Sequence, residues 1–103
     1  MPHVIRLRDP WEALPTTDGT LRQRRPFQKP TGLGPSDVVR LVIDGGAGLF
    51  AVAVNDRLQA MPPTAGVAAF DITALLQPRN FIDLTLAGDG RRGEVRLEIE
   101  SAS

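Results

Sequence analysis

The side chains best equipped to hold a polar ligand stand close together near the start of this 103-residue chain, in LRDPWEAL: Arg8, Asp9 and Trp11. An indole ring gives a sugar's less polar face a flat surface to stack on, and planar carboxylates and guanidiniums beside it bond the hydroxyls. Trp11 is the sole tryptophan and tyrosine is absent. A large aromatic near the first strand of a small domain serves equally well as core. Burial of Trp11, or its exposure in a concavity beside Arg8, Asp9 or Asn55, decides between the two. Asn55 and Asp56, in VAVNDRLQ, are a second candidate pair: they line a loop cluster of the kind where binding residues gather, or they supply turn chemistry alone.

Catalytic constellations are harder to assemble. Glycoside hydrolysis needs two carboxyl groups about 5–9.5 Å apart across one bond, yet three of the four glutamates, Glu94, Glu98 and Glu100, alternate along one terminal segment and read as a solvated face. Nucleophilic catalysis needs a serine or cysteine with a base, and the one histidine, His3, lies two residues from the start. With one histidine and no cysteine, a zinc site of ordinary composition is excluded. GGAG, at 45–48, lies between two strand-like runs and lacks the Gly-Lys-Ser/Thr ending of a phosphate loop. Neither catalytic residues nor a cofactor are expected.

Twelve basic and twelve acidic residues cancel, which removes a general electrostatic attraction to nucleic acid or an anionic membrane. RQRRPFQK, with one aromatic, reads as a charged edge strand, since such charges discourage edge-to-edge pairing. No run approaches the 18 apolar residues of a spanning helix, and MPHVIRLRDPW carries prolines and charges where a secretory signal needs an apolar run. The expectation, if Met1 is the natural start, is a cytoplasmic protein with neither nucleic-acid nor membrane partners.

Candidate side chains are positioned by strands. Ten glycines and nine prolines leave little room for helices of ordinary length. HVIRLR alternates; Asp18-Gly19 suits a tight hairpin turn; Pro26 argues for an edge or a bulge in the segment 21–29. VVRLVID sends Val39, Leu41 and Ile43 to one face, and LFAVAV, apolar on both faces, reads as a central strand covered on two sides. Asn55-Asp56 predicts a second tight hairpin to a partner strand at about Arg57 to Met61, followed by the loop PPTAG and the strand VAAFDI. NFIDLTLAG and EVRLEIE alternate again, with GDGRRG as the turn between them. The spacing predicts one domain over 1–103, an all-β sandwich or small barrel of seven to nine strands. Between VAAFDI and NFIDLTL, TALLQPR predicts a helical turn near 73–76, capped by Thr73, burying Leu75 and Leu76 and stopped by Pro78. A strand that changes sheets needs such a connector.

The order of RRPF, VVRLVIDGGAGLFAVAVND and FDITALLQPRNFIDLTL resembles the N-terminal jelly-roll domain of family 2 glycoside hydrolases, a galactose-binding-like β-sandwich. Arg25 and Phe27 match that family's Arg-x-Phe strand; Val54 and Asn55 match its Val-Asn-Gly, with Asp56 in place of Gly. Phe70, Asp71, Ile72 and Thr73 with Leu75 and Leu76 match its Phe-Asp-Val-Thr and Leu-rich turn, and Asn80 its strand-opening Asn. The stretch RLQAMPPTAGVAA departs from it, lacking the family's His, Gly and aromatic richness between those motifs. The resemblance, over residues 25–87, implies a jelly-roll fold and a non-catalytic carbohydrate-binding module, because the family's paired glutamates belong to a separate barrel. It also implies that a structural calcium is conceivable, but Asp18, Asp37 and Asp89 form no cluster and no metal is expected. The expected partner is a carbohydrate, with Trp11, Arg8, Asp9, Asn55 and Asp56 as its contacts. The alternative is an adaptor that docks another protein or its own copy.

Overall fold

The alternation of VVRLVID and EVRLEIE sets the frame of the molecule: Val39, Leu41, Ile43, Val95 and Leu97 are buried on one face while Arg40, Arg96 and Glu98 stay at the surface. The computed structural model describes residues 3–59 and 66–101, the side chain of Phe50 aside. In chain order the strands are β1 (His3–Arg6), β2 (Glu12–Leu14), β3 (Leu21–Gln28), β4 (Val38–Asp44), β5 (Ala47–Val54), β6 (Arg57–Leu58), β7 (Val67–Asp71), β8 (Arg79–Arg91) and β9 (Glu94–Glu100), with one 3-10 turn at Thr73–Leu75. They form two antiparallel sheets, β1-β9-β4-β7 and β2-β3-β8-β5-β6. The chain is an all-β sandwich.

Only β2–β3 and β5–β6 are hairpins within a sheet, while every other connection passes from one sheet to the other. Each crossing therefore ties the layers together, and the segment 72–78 is one of them, as TALLQPR predicts. Between the layers Leu41, Ile72, Ile82, Leu84 and Leu97 are essentially fully buried, and each such side chain contributes about 1.5–3 kcal/mol relative to an exposed one.

Several local expectations are corrected. In LFAVAV the two faces differ: Val52 and Val54 are fully buried in the core, whereas Ala51 and Ala53 are only half-buried on the outer face. Alanine is apolar but small, so its outward placement costs little and blurs the alternation. GDG is not part of the turn. Strand β8 continues to Arg91, because its register with β5 jumps from Leu49↔Leu86 to Ala47↔Arg91 and the extra residues bulge out. The reversal itself is Arg92-Gly93, with Gly93 at φ +76°. At Asp18-Gly19 the hairpin loop is wider than a two-residue turn, spanning 15–20 and closed by Thr20 donating to Asp18 from its amide (3.1 Å) and hydroxyl (2.6 Å).

Asn55 and Asp56 do make a tight hairpin, with φ of 52° and 64°; both residue types tolerate this left-handed region. The partner strand β6 is Arg57–Leu58 and ends before Gln59; Ala60 and Met61 of its expected continuation, and most of PPTAG, lie outside the described residues. Pro26 pairs with Phe81, whose amide and carbonyl are engaged by Asn55 instead of by β3. The missing proline N–H thus faces away from β8, beyond the end of β2, and breaks no ladder bond.

Thr73 does not cap the 3-10 turn; Ile72 occupies the cap position without a side-chain bond. Asp71 does the turning instead, accepting from the Thr73 amide (3.0 Å) and hydroxyl (2.7 Å), while the same hydroxyl accepts from the Val39 amide (2.9 Å). Leu75 and Leu76 are half-buried and pack against the core.

Candidate functional site

The candidate site lies where the chain leaves β1 for β2 and so changes sheets. Leu7 extends β1, donating its amide to Val95 O at 2.8 Å, and its side chain enters the core. Through Arg8, Asp9 and a cis Asp9–Pro10 peptide the chain reaches Trp11, whose Nε1 donates back to Leu7 O at 3.3 Å. This strap closes the side of the sandwich between the edge strands β1 and β2.

On the opposite wall β3 points two polar residues the same way as its buried Phe27. Arg25 donates from Nε to Arg8 O at 2.6 Å and so anchors the strap. Gln23 accepts from Arg92 Nη1 at 2.7 Å. Arg92, on the β8–β9 reversal, also donates from Nη2 to Asp9 Oδ1 at 3.0 Å and sets its guanidinium carbon 4.7 Å from the centre of the Trp11 ring. Stacking on indole and in-plane hydrogen bonding are compatible for a planar guanidinium, which is why both contacts coexist.

Trp11 is therefore neither buried core nor a bare stacking surface. It is half-buried, packs against the hydrophobic core and carries Arg92. On the far side of Arg92 from the indole, the strap residues Leu7, Arg8 and Asp9 join Arg6, Arg92 and Glu94 in lining a cleft of about 400 Å³. Pockets that hold small ligands span roughly 300–1,000 Å³, so the cleft has room for a sugar ring. Three guanidiniums face two carboxylates there. Arg6 pairs with Glu94 at 3.4 Å and Arg92 with Asp9 at 3.0 Å, while Arg8 has no carboxylate partner among the described residues.

The structure thus brings Arg8, Asp9 and Trp11 together and places Asn55 and Asp56 elsewhere. Asn55 belongs to the corner where β5, the 72–78 connector and β8 meet: its Nδ2 donates to Leu75 O and to Asn80 Oδ1, both at 2.9 Å, and its Oδ1 accepts from the Phe81 amide at 3.0 Å. Its amide is committed to holding the fold. Asp56 lies towards Arg24 on the outer face of the five-stranded sheet. There Arg24 binds the buried Asp83 through two bonds, Nε–Oδ1 2.6 Å and Nη2–Oδ2 2.9 Å, and stacks 4.4 Å from the Phe81 ring centre. The hydrogen bonding to Asp83, with the charges of Asp83, Asp56 and Glu12, holds the Arg24 guanidinium above its ordinary pKa against the cost of desolvation.

Sequence reasoning missed Arg92, Gln23, Arg25, Arg6 and Glu94 as neighbours of the strap. One signal was present in LRQRRPF: Gln23 and Arg25 share the phase of Phe27, and polar residues on a core-facing phase mark where the two sheets part. Arg92 had no comparable signal, since its partner Asp9 is 83 residues away in the chain.

Among the described residues no group of three or more His, Cys, Asp or Glu side chains is placed to hold a metal ion. Among the same described residues no helix is long and apolar enough to cross a membrane. Compared with known proteins, the chain matches no family model and no curated sequence.

Proposed function

We propose that the protein is a non-catalytic carbohydrate-binding module whose site is the cleft beside the 7–11 strap. The observation that carries this reading is the convergence of Arg8, Asp9 and Arg92 on one open cleft, with Arg92 stacked on the half-buried Trp11 behind it. Planar, charged hydrogen-bonding groups suit vicinal hydroxyls, and the apolar stems of the arginines suit the carbon face of a pyranose, while the indole backs Arg92. The two-sheet architecture and the resemblance of residues 25–87 to the jelly-roll domain of family 2 glycoside hydrolases support the same reading from another direction, though a fold hosts many functions. Isothermal titration against galactosides, glucuronides and plant or algal oligosaccharides tests it. Heat of binding that disappears in Trp11→Ala is expected, and no heat with any ligand at millimolar concentration would sink the idea.

A second reading is an adaptor or self-associating module. It is favoured by Leu58 and Val67, exposed at 75% and 48% on the short or edge strands β6 and β7, where apolar side chains invite a partner. Light scattering over a concentration series separates the two, since a monomer at all concentrations that also captures no partner counts against the adaptor.

A further inference from the structure

The ion pair at the cleft mouth is lopsided. Asp9 is 80% exposed and held by one hydrogen bond to Arg92, whereas Arg92 is only 21% exposed and held from three directions by Gln23, Trp11 and Asp9. A pair with one partner this free contributes little, because that partner's carboxylate is well solvated with or without it. The guanidinium, by contrast, is already positioned and partly desolvated, so the strength of any charge-assisted bond it makes is enhanced. Of its five N–H groups, the bonds to Gln23 and Asp9 occupy two among the described residues. Arg8 adds a guanidinium with no carboxylate partner on the same cleft wall.

We propose that the ligand of this cleft carries a carboxylate, as a uronic acid unit does, and that this carboxylate takes the place of Asp9 on Arg92. The inference rests on the saccharide reading above and deepens it. Asp9 in the free protein stands where the ligand's carboxylate goes: the same oxygen type meets the same Nη2. When Asp9 is displaced into water, the ligand's acid group lies among Arg92, Arg8 and Arg6, with only Glu94, itself paired to Arg6, opposing it. A neutral sugar of the same ring gains none of this. Gln23 and Trp11 act as positioning residues, fixing the guanidinium plane without touching the ligand's acid group.

The test compares trigalacturonate with galactotriose, matched in ring and length and differing chiefly in the carboxylate at C6. Binding is read by calorimetry and by the emission of Trp11, the only tryptophan in a chain without tyrosine. Trigalacturonate is expected to bind about tenfold more tightly at low salt, to perturb Trp11 emission, and to lose its advantage in Arg92→Gln. Asp9→Asn removes the competing carboxylate while leaving Arg92 in place, so it should tighten trigalacturonate binding. Equal affinity for the two sugars, a preference that survives Arg92→Gln, or weaker trigalacturonate binding in Asp9→Asn overturns the exchange and leaves the saccharide reading standing. Binding of neither sugar, nor of any other in the panel, removes both.

Discussion

Asn55 and Asn80 clasp each other at the corner where β5, the 72–78 connector and β8 meet, Asn55 Nδ2 donating to Asn80 Oδ1 at 2.9 Å. The same Asn80 oxygen accepts from the Gln77 amide at 2.7 Å and its Nδ2 donates to Gln77 O at 2.7 Å, closing the connector back onto β8. Asn80 is 2% exposed, so no water replaces these bonds easily. Asn80→Ala leaves the part-buried Gln77 amide and carbonyl without their partner and should cost about 1–3 kcal/mol in urea unfolding. Asn55→Ala should cost a similar amount, because it removes three side-chain hydrogen bonds and leaves at φ 52° a residue that tolerates the left-handed region less well than asparagine. Asn55→Gly recovers the backbone part only and should fall between Asn55→Ala and wild type. If glycine proves no better than alanine, backbone conformation is not part of the cost.

The pair formed by Arg24 and Asp83 makes a second prediction, on the outer face. The Asp83 side chain is 6% exposed beneath Arg24, with Arg22 Nη2 at 3.7 Å as a weaker second partner. Removing one partner of a buried pair commonly costs about 3–5 kcal/mol because the other charge is stranded. Arg22 relieves part of this, so Arg24→Ala should lose about 2–3 kcal/mol. Arg24→Lys should not restore it, since an ammonium neither forks onto two oxygens nor lies flat on Phe81. Arg24→Leu with Asp83→Val should cost less than Arg24→Leu alone. A double-mutant cycle with no coupling energy would show the two side chains acting independently.

These two pairs also mark the boundary of what a single sequence discloses. Strands β4 and β9 are legible because period-two burial is a local pattern, and the sheet change at 72–78 is legible because Pro78 and the Leu-rich turn interrupt it. Asp83 and Asn80 are not, because a buried polar residue looks like any other polar residue until its partner, 59 residues from Asp83 in Arg24 and 25 from Asn80 in Asn55, is known. The same reasoning divides the candidate site. Arg8, Asp9 and Trp11 are neighbours in the chain and were found together, whereas Arg92 arrives by the fold. Asn55 and Asp56 were drawn in by residue types that serve turns and ligands alike, and turn geometry accounts for both. GDG misled because glycine allows a bulge inside a strand as readily as a reversal.

Gly93 is where that reversal occurs, and it has no room for a side chain. It holds φ +76°, and a methyl there would lie 2.5 Å from the Asp44 carbonyl oxygen and from the Gly46 amide nitrogen. Both are backbone atoms of the β4–β5 crossing, so neither can swing aside. Gly93→Ala should therefore cost more than the ordinary left-handed penalty of about 1–2 kcal/mol. Gly19, also at positive φ but with nothing within 4 Å, isolates the conformational part. Gly19→Ala should show about 1 kcal/mol, and the excess of Gly93→Ala over it measures the clash. Because Arg92 precedes this glycine, Gly93→Ala should also disturb Trp11 emission. Equal losses at the two glycines would mean that the β4–β5 crossing yields.

Asp71 should make stability fall in acid. Its pKa is lowered chiefly by the Thr73 hydroxyl, then by the Thr73 amide, against a smaller opposing effect of burial, with the charge of Arg40 as the least contribution. Asp18 is lowered in the same way by Thr20. A carboxyl group whose pKa is lower folded than unfolded stabilises the fold at any pH above its unfolded value of about 3.9 and loses that contribution as pH falls through its folded value. The melting temperature should thus be level above about pH 5 and decline below about pH 4. Asp71→Asn keeps an oxygen acceptor for Thr73 but not the charge, so it should melt below wild type at neutral pH. The two melting curves should converge as the pH falls through the folded value of Asp71, where the wild-type carboxyl becomes protonated as well. A difference that does not shrink as the pH is lowered would assign the loss to altered hydrogen-bond geometry at the start of the connector, with the charge playing no part.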